Sequence, residues 1–504
     1  MRLPEYPQSY WLATSKPPTF EPLPKDIETD FAVVGGGIAG LTTAYLLAKE
    51  GRRVALLTAN KLFSGTTGYT TAKITAQHDL IYDEYIQHFG EEKARLYYEA
   101  NRDGGAFIAN VVRENAIDCD YAEEDAYVYA AEEANLAKLS KEHAAYARLG
   151  IPGEYVDGIP LPVPAKGAVV MKGQARFHPL PYLSFLAAEI VRLGGRIYED
   201  TTANKFAEED GRARISTHRG HSVVCDAVAA CSHFPFFDNG FYFARLHAES
   251  SYVLAVKSDY DYPGGMYIGA DEPKRSIRSV SYGGERLLLV GGESHKTGQG
   301  ENTIKHYEAL EAFAADALGA REIRYRWSTH DFATLDNLPY IGQATPGSER
   351  LFVATGFRKW GMTTGTVAGH LLRDLMLGRD TRYAELYGPA RFEADPGVKT
   401  FVQQNADVAY HLVKGKLEWL GKQPEDLGPD EGAAVRILGH RAGAYRDPEG
   451  QLHLVDTTCT HMGCEVSWNE GDRTWDCPCH ASRFDYRGEV VKGPAKKALK
   501  RIES

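Results

Sequence analysis

The apolar residues near the N-terminus are arranged in the order strand, tight turn, helix. Residues 29–34 form a short apolar run, residues 35–40 contain four glycines, and residues 41–50 have the apolar spacing of a helix that ends at Gly51. A second strand is predicted at 53–58, and a helix at 182–193 followed by a strand at 196–199 repeats the alternation. Strands that alternate with helices favour a parallel sheet covered by helices, so this region is predicted to be α/β.

Segments of other types interrupt this pattern. Residues 91–150 are predicted to be mainly helical, and residues 246–293 to be rich in strands. At 398–420 apolar residues recur at helical spacing, so we predict a helix that packs two parts of the chain together, with a loose linker as the alternative. After a polar, turn-rich stretch at 423–432, strands are predicted at 434–438, 442–446 and 452–455. Because 504 residues exceed the usual size of a single core, we expect two or three domains.

The glycine-rich turn has the residues that bind the pyrophosphate of a dinucleotide. Gly35 permits the tight turn, Gly37 lets backbone amides approach the phosphates at the helix N-terminus, and Gly40 lets the helix pack on the strand. The acidic residue that usually binds the adenosine ribose is replaced by Thr58, whose hydroxyl can make only a weaker bond. The motif has the required strand before it and helix after it, so a dinucleotide site is predicted.

Two short boxes of cysteine and histidine lie near the C-terminus. They are Cys459-Thr460-His461 and Cys477-Pro478-Cys479-His480, separated by fifteen residues. Two thiolates and two imidazoles are the ligand set of a Rieske [2Fe–2S] cluster. A structural zinc site is the alternative, but zinc alone does not explain the additional cysteine in each half of the motif, Cys464 and Cys479.

These boxes, together with Ser482 and the later Gly493-Pro494-Ala495, resemble the Rieske proteins of respiratory and photosynthetic chains. The resemblance implies that Cys459 and Cys477 bind one iron and that His461 and His480 bind the other. It also implies a disulfide between Cys464 and Cys479. A tyrosine that commonly follows the second box in high-potential members is replaced by Phe484. We therefore expect a reduction potential below the upper end of the Rieske range, which lies at about +300 mV.

Further motifs resemble the FAD enzymes of the D-amino-acid oxidase and glycine oxidase superfamily. They are Ser64-Gly65-Thr66-Thr67-Gly68, the segment at 336–342, the strand at 351–357 and the loop Trp360-Gly361-Met362-Thr363 that leads into a helix at 365–377. The resemblance implies that the dinucleotide is FAD. The implied FAD-binding residues are Gly35, Gly37, Ile38, Ala39, Gly40, Thr58, Ser64, Gly65, Thr66, Thr67, Gly356, Met362 and Thr363.

The two resemblances together imply an α/β Rossmann-like FAD domain with an α+β substrate domain, followed by a C-terminal all-β Rieske domain. We expect the FAD-dependent oxidoreductase part at 1–385. Within it the FAD segments are expected near 1–80, 165–235 and 325–385, and the substrate segments near 81–164 and 236–324. Residues 386–430 are predicted to be a linker with the packing helix, and residues 431–504 the Rieske domain.

The pairing of the two cofactors limits the function. A flavin accepts a hydride whereas a [2Fe–2S] cluster carries one electron, so we expect a dehydrogenase or oxidase whose reduced flavin passes electrons one at a time through the cluster to an external acceptor. The resemblance to the superfamily implies a small amine or amino acid as the substrate. Lys73, Arg358 and Lys359 are candidates for a positive charge beside the flavin. His178, Tyr69 and Tyr252 are candidates for the pocket wall, and each of the six could instead be a surface cation or a core aromatic.

The alternative functions are a Rieske-type oxygenase and a non-catalytic electron-transfer or redox-sensing protein. A Rieske-type oxygenase would need a mononuclear iron held by two histidines four or five residues apart, and the closest pair here, His218 and His221, does not have that spacing. A non-catalytic electron-transfer or redox-sensing protein stays open, because no residue of the substrate pocket is securely identified.

Composition adds expectations about partners and location. A net charge of −11 argues against nucleic acid as a partner. Neither a leader-like N-terminus nor an apolar run long enough to span a membrane is evident, so a cytoplasmic protein is expected. Three further cysteines, Cys119, Cys225 and Cys231, are predicted to be core thiols. The basic tail is predicted to be a solvated terminal face, and its basic residues are Lys492, Lys496, Lys497, Lys500 and Arg501.

Overall fold

A six-stranded sheet forms the centre of the N-terminal part. The computed structural model describes residues 1–237, 239–300, 302–391, 394–417, 422–437 and 439–502. Neighbouring strands are parallel, except for the antiparallel pair at one edge. In spatial order, starting with that pair, the strands are Tyr340–Gln343, Leu351–Thr355, Ala227–His233, Phe31–Val34, Val54–Leu57 and Arg196–Tyr198.

Helices cover one face of this sheet and a small second sheet covers the other. The helices are Ile38–Lys49, Pro179–Arg192 and Gly361–Met376. The first and third approach closely because glycines face the contact, and a Cβ at Gly369 would lie 2.5 Å from Cγ2 of Thr42. The small sheet consists of Ile27–Glu28, Ser222–Cys225, Arg212–Thr217 and Ala203–Glu209. With both faces covered, every residue of Phe31–Val34 is buried.

A nine-stranded sheet forms the second layer of the N-terminal part. In spatial order its strands are Ala320–Thr334, Leu246–Ser258, Leu287–Lys296, Arg275–Val280, Met266–Gly269, Ala122–Ala130, Gly167–Arg176 and Lys73–Ile74, with Gly153–Val156 paired to Gly167–Arg176. The helices of this layer are Tyr82–Glu114, Glu133–Leu149 and Ile304–Leu318, and the first of them is interrupted at Gly90, where φ is 85°. This sheet includes the strands Gly167–Arg176 and Ala320–Thr334, although parts of both fall within the segments predicted for the FAD domain. The domain division stays a prediction.

The remaining elements of the N-terminal part are short. They are the helices Tyr10–Ala13, Tyr242–Arg245 and Ala384–Tyr387, and the 3₁₀ turn Thr66–Tyr69.

A long helix and two small sheets form the C-terminal part. The helix is Ala394–Leu417, and the predicted end at Leu420 lies outside the described residues, as does the predicted strand end at Leu438. After the 3₁₀ turn Pro424–Asp426, one sheet consists of Glu431–Ile437, His440–Arg446 and Leu452–Val455, and the other of Ser467–Asn469, Thr474–Asp476, Arg483–Asp485 and Val490–Lys492.

The long helix contacts both parts of the molecule. On the N-terminal side, Asn405 Nδ2 donates to the carbonyl of Ala244 at 3.0 Å, and Asp407 accepts from Gln299 Nε2 at 2.8 Å. On the C-terminal side, Val408 and Leu412 pack against the core around the cysteine boxes. The helix therefore packs the two parts against each other.

A buried polar network joins the two parts directly. Arg483 forms ion pairs with Asp476 at 2.8 Å and Asp472 at 3.2 Å, and also donates to Ser328 Oγ at 3.1 Å. The hydroxyl of Tyr307 donates to Asp472 at 2.8 Å. Because buried charges are costly unless each is paired, this network favours one specific placement of the two parts.

Candidate cofactor and active site

One cavity of about 770 Å³ lies between the glycine-rich turn, the nine-stranded sheet and the C-terminal part. The cavity brings together most of the residues that the sequence predicted for FAD binding and catalysis. Those that line it are Gly35, Gly37, Ile38, Ala39, Thr58, Ser64, Gly65, Thr66, Thr67, Met362, Lys73, Tyr69, Tyr252, Arg358 and Lys359. The predicted dinucleotide and substrate residues thus share a single space.

Four predicted residues lie outside the cavity wall, and each has a structural role. Gly40 lets the helix approach the turn, because a Cβ there would lie 1.9 Å from the carbonyl oxygen of Gly35. Gly356 has a φ of 78° before the loop that enters the cavity, and Thr363 donates to the carbonyl of Thr75 at 3.0 Å. His178 accepts a hydrogen bond from the amide of Leu180 at the start of its helix. Burial lowers the pKa of His178 to about 3, so it is a neutral core residue.

The phosphate end of the cavity is built mainly from backbone. Gly35 has a φ of 125°, where a Cβ would lie 2.2 Å from the carbonyl oxygen of Cys231, so the turn requires glycine. The helix begins after Gly37, and the amide of Ile38 is held by Thr67 Oγ1 at 3.2 Å. The positive end of this helix and the glycine-rich turn line the cavity, and such a helix start fits the pyrophosphate of FAD.

The other end of the cavity is rich in charged side chains. Lys73 Nζ donates to Ser276 Oγ at 2.7 Å and to the carbonyl of Tyr267 at 3.3 Å. Burial, with the nearby Arg278, lowers the pKa of Lys73 from 10.5 to about 7. Among the described residues no carboxylate forms an ion pair with this ammonium, so Lys73 can receive an anionic group inside the cavity.

Arg358 and Lys359 lie on the loop between the last parallel strand and its helix. Both have positive φ, 48° and 69°, and Arg358 donates to the carbonyl of His78 at 3.2 Å. Lys359 is paired with Glu249 at 3.0 Å and donates to Ser294 Oγ at 2.8 Å. The helix Gly361–Met376 begins directly afterwards at the cavity wall, so its positive end also faces the cavity.

A stack of aromatic rings borders this end and was not predicted beyond Tyr252. The Tyr252 ring stacks on His306 at 4.8 Å, and its hydroxyl lies 3.0 Å from His295 Nε2. His306 in turn contacts Glu293 at 3.1 Å, and Glu293 is paired with Arg275 at 2.7 Å. Tyr252, His295 and Arg275 reach the cavity. Only the pairing of distant strands brings these residues together, so local sequence patterns held no signal for them.

The two cysteine and histidine boxes form a compact site. A side-chain hydrogen bond links Cys459 and Cys477, and the rings of His461 and His480 lie 5.0 Å apart. Cys464 and Cys479 form a disulfide that ties the two loops together. The sulfurs of Cys464, Cys477 and Cys479 lie within 4.8 Å of one another. The structure therefore brings the two predicted cysteine ligands together and the two predicted histidine ligands together, and their roles as iron ligands stay a prediction.

His480 fits the role of a metal ligand. Burial and the neighbouring His461 lower the pKa of His480 to about 3, so the imidazole is neutral. A hydrogen bond joins it to the backbone of Phe243, while Nδ1 is buried and has no hydrogen-bond partner among the described residues. A neutral imidazole with a free ring nitrogen is what an iron ligand requires, and the backbone bond orients the ring.

The boxes lie against the cavity. The ring of His461 packs edge-on to Phe234 at 5.8 Å, and the ring of His480 packs edge-on to Phe243 at 6.2 Å. Gly298 lies close to the second box, because a Cβ there would lie 2.6 Å from the backbone nitrogen of Pro478. Phe234 itself lines the cavity, so one aromatic ring separates a predicted cluster ligand from the predicted flavin site.

Residues 490–496, which we name the strap, form one wall of the cavity. The prediction that the basic tail is a solvated face is wrong for two of its lysines. Lys492 lies over the ring of Tyr69 at 5.1 Å, and Lys496 Nζ donates to the carbonyl of Phe236 at 2.6 Å. Lys497, Lys500 and Arg501 are exposed as expected. A run of lysines near a terminus is indistinguishable from a surface segment until the two parts are packed together.

The fold and both sites define an FAD-dependent oxidoreductase fused to a Rieske iron–sulfur domain. The chain belongs to the FAD dependent oxidoreductase family, whose model matches residues 30–375, and residues 420–503 match the model of the Rieske [2Fe-2S] domain. The predicted fold class, FAD and the [2Fe–2S] cluster are thereby confirmed. The predicted function is confirmed at the level of an FAD oxidoreductase with a Rieske domain.

Three relatives place the chain more closely. It is 49% identical over 500 residues to YhfW of Bacillus subtilis (strain 168), whose name describes a Rieske 2Fe-2S iron-sulfur protein, covering 99% of this chain and 98% of the relative. It is 25% identical over 407 residues to gamma-glutamylputrescine oxidoreductase of Escherichia coli (strain K12), covering 75% and 91%. The crystal structure of glycine oxidase from Geobacillus kaustophilus aligns with a TM-score of 0.62 and 21% identity, over 72% of this chain and 99% of that one, and shows the fold.

Across the described residues, no helix has the length and apolar character needed to cross a membrane.

Proposed function

We propose that the protein is an FAD-dependent dehydrogenase or oxidase of a small amine or amino acid, and that electrons leave the reduced flavin one at a time through the Rieske cluster to an external acceptor. When bound, FAD supplies hydride acceptance and the cluster supplies one-electron transfer. The single observation that carries the proposal is the shared wall between the two sites, where Phe234 contacts both the cavity and the ring of His461.

The packing of the two parts supports direct transfer. The network around Arg483 and the close approach of Gly298 to the second box hold the cysteine and histidine loops against the cavity. The phenyl rings of Phe234 and Phe243 cover the edges of the two histidine rings. In this arrangement the chain itself keeps the cluster ligands near the flavin site.

The charged end of the cavity supports an amino acid or a related anion-bearing amine. Lys73 provides an ammonium without a carboxylate partner among the described residues, so it would bind a substrate carboxylate, and the positive end of Gly361–Met376 would favour negative charge on the flavin. Such a substrate class agrees with the names of a structural neighbour, a glycine oxidase, and of a relative, a gamma-glutamylputrescine oxidoreductase.

A cytoplasmic location and the absence of a nucleic-acid partner are part of the same proposal. Apart from the predicted cluster ligands, the buried cysteines Cys119, Cys225 and Cys231 form no disulfide in the described structure, as is common in reducing compartments. The net charge of −11 would repel a polyanion.

The test begins with the purified holoprotein under anaerobic conditions. A panel of amines and amino acids is screened for bleaching of the flavin absorbance, and rapid mixing then follows flavin and cluster separately for each active compound. We expect flavin reduction first and cluster reduction second. Cys459→Ser, which removes a ligand, should retain bleaching by substrate but lose turnover with a one-electron acceptor.

Two results would contradict the proposal. If no compound of the panel bleaches the flavin, a non-catalytic electron-transfer or redox-sensing protein is favoured. If Cys459→Ser turns over at the normal rate with the one-electron acceptor, the cluster is not on the electron route. Ser467→Ala, a small change at a half-buried residue outside both boxes, serves as the control.

A further inference from the structure

The strap carries a lysine into the FAD cavity from the Rieske domain. Lys492 Nζ lies 3.4 Å from Thr329 Oγ1 and 5.1 Å from the ring centre of Tyr69, and both of these residues line the cavity. Tyr69 ends the turn Thr66–Tyr69, whose first residues form part of the phosphate end. The ammonium is therefore next to the space predicted for the dinucleotide.

Both ends of the strap are attached to the FAD domain. The carbonyl of Val491 accepts a hydrogen bond from Asn60 Nδ2 at 3.3 Å, two residues after Thr58. Lys496 Nζ donates to the carbonyls of Phe236 at 2.6 Å and Asn204 at 2.9 Å. These bonds fix the backbone on either side of Lys492, so the direction of its side chain is set by the docking of the two domains.

The nearby carboxylates already have other partners. Asp472 and Asp476 are paired with Arg483, and Asp331 accepts from the amide of Lys359 at 2.6 Å. Within the described residues none of them comes within ion-pair distance of Lys492, and Arg483 repels its charge. Burial of the Lys492 ammonium is unfavourable unless an anion lies beside it. The two phosphates of FAD would supply that negative charge.

We propose that Lys492, a residue of the Rieske domain, is an FAD-binding residue that acts across the domain boundary. The inference rests on FAD as the cofactor and does not depend on the electron route proposed above. It means that the FAD site is incomplete without the Rieske domain. The burial that lowers the pKa of Lys492 to about 7 agrees with a cation placed to meet an anionic ligand.

The experiment measures FAD affinity in the full-length protein. FAD is removed from the wild type, Lys492→Met and the surface control Lys497→Met, and each apoprotein is titrated with FAD by fluorescence at several salt concentrations. For Lys492→Met we expect the Kd for FAD to rise by about tenfold or more, as for the loss of one charge-assisted hydrogen bond. The salt dependence of the Kd should also become weaker, because a charge pair is screened by salt. Lys497→Met should match the wild type.

The electron paramagnetic resonance signal of the reduced cluster checks that the Rieske domain is intact in each variant. If Lys492→Met does not give folded protein, Lys492→Gln, which keeps a polar side chain, takes its place in the titration. An unchanged Kd would overturn the proposal. So would a raised Kd with the salt dependence of the wild type, since that result would assign Lys492 a packing role without a charge contribution.

Discussion

The FAD site and the cluster site use the chain in different ways. The four predicted ligands of the cluster site lie within residues 459–480, and all four are side chains. The phosphate end of the FAD site is mainly backbone, and its walls come from segments as distant as residues 35–39, 58–67 and 490–496. The cluster site therefore depends on the identity of a few side chains. The FAD site depends on an unfilled cavity and on the docking of two domains. Single substitutions should separate the two dependences.

The largest effect is expected where a side chain fills the phosphate end. Gly37→Val adds a Cβ that would lie 2.9 Å from Thr67 Oγ1, in the turn that presents the amide of Ile38. We expect loss of almost all bound FAD, measured by flavin absorbance per chain, with the cluster signal retained. Gly397→Ala, where a Cβ meets nothing within 4 Å, should keep its FAD. Loss of both cofactors together would show that the two sites are not independent.

An intermediate effect is expected where the two sites meet. Gly298→Ala places a Cβ 2.6 Å from the backbone nitrogen of Pro478, so the second box must move away from the FAD domain. Flavin reduction by substrate should be unchanged, while transfer to the cluster should become slower, because the second box lies farther from the flavin site. Rapid mixing measures the two steps separately.

Gly300→Ala is the matched control for that substitution. It lies in the same segment and has a similar positive φ of 100°, yet its Cβ would meet nothing within 4 Å. Equal slowing in both variants would attribute the effect to backbone strain and not to the contact with Pro478.

The smallest effect is expected from a single atom beside the cluster. Phe484 is fully buried in the strand Arg483–Asp485, next to the cysteines. Phe484→Tyr adds a hydroxyl that can donate to a ligand sulfur and should raise the reduction potential of the cluster. Redox titration of the cluster signal checks this, with the flavin potential as the internal control. A lowered or unchanged cluster potential would mean that the hydroxyl does not reach a sulfur.

The sequence predicted the cluster site more completely than the FAD site. The spacing of Cys459, His461, Cys477 and His480 predicts an iron–sulfur cluster, because thiolates and imidazoles in this pattern have few other uses. Their individual roles as iron ligands stay a prediction. Gly35 and Gly37 were equally predictable, since Gly35 has a φ of 125° and a Cβ at Gly37 would lie 2.9 Å from Thr67 Oγ1. His178 was assigned to the pocket wall, although its position directly before Pro179 at a helix start was a local signal for a capping residue.

The residues that the sequence could not assign lie where distant segments meet. His295 and Arg275 reach the cavity only because their strands belong to one sheet with Tyr252. Phe234 meets His461, and Lys492 meets Thr329, only through the contact between the two domains. Periodicity and motif spacing describe only nearby positions of a chain, so they do not predict contacts across a domain interface.

The strap also bears on how the protein is assembled. Ribosomes make a chain from its N-terminus, so the glycine-rich turn and the last parallel strand, Leu351–Thr355, appear well before residues 490–496. Until residues 490–496 have been made, one wall of the cavity is missing. The cofactor site is therefore completed only when the strap docks on the FAD domain.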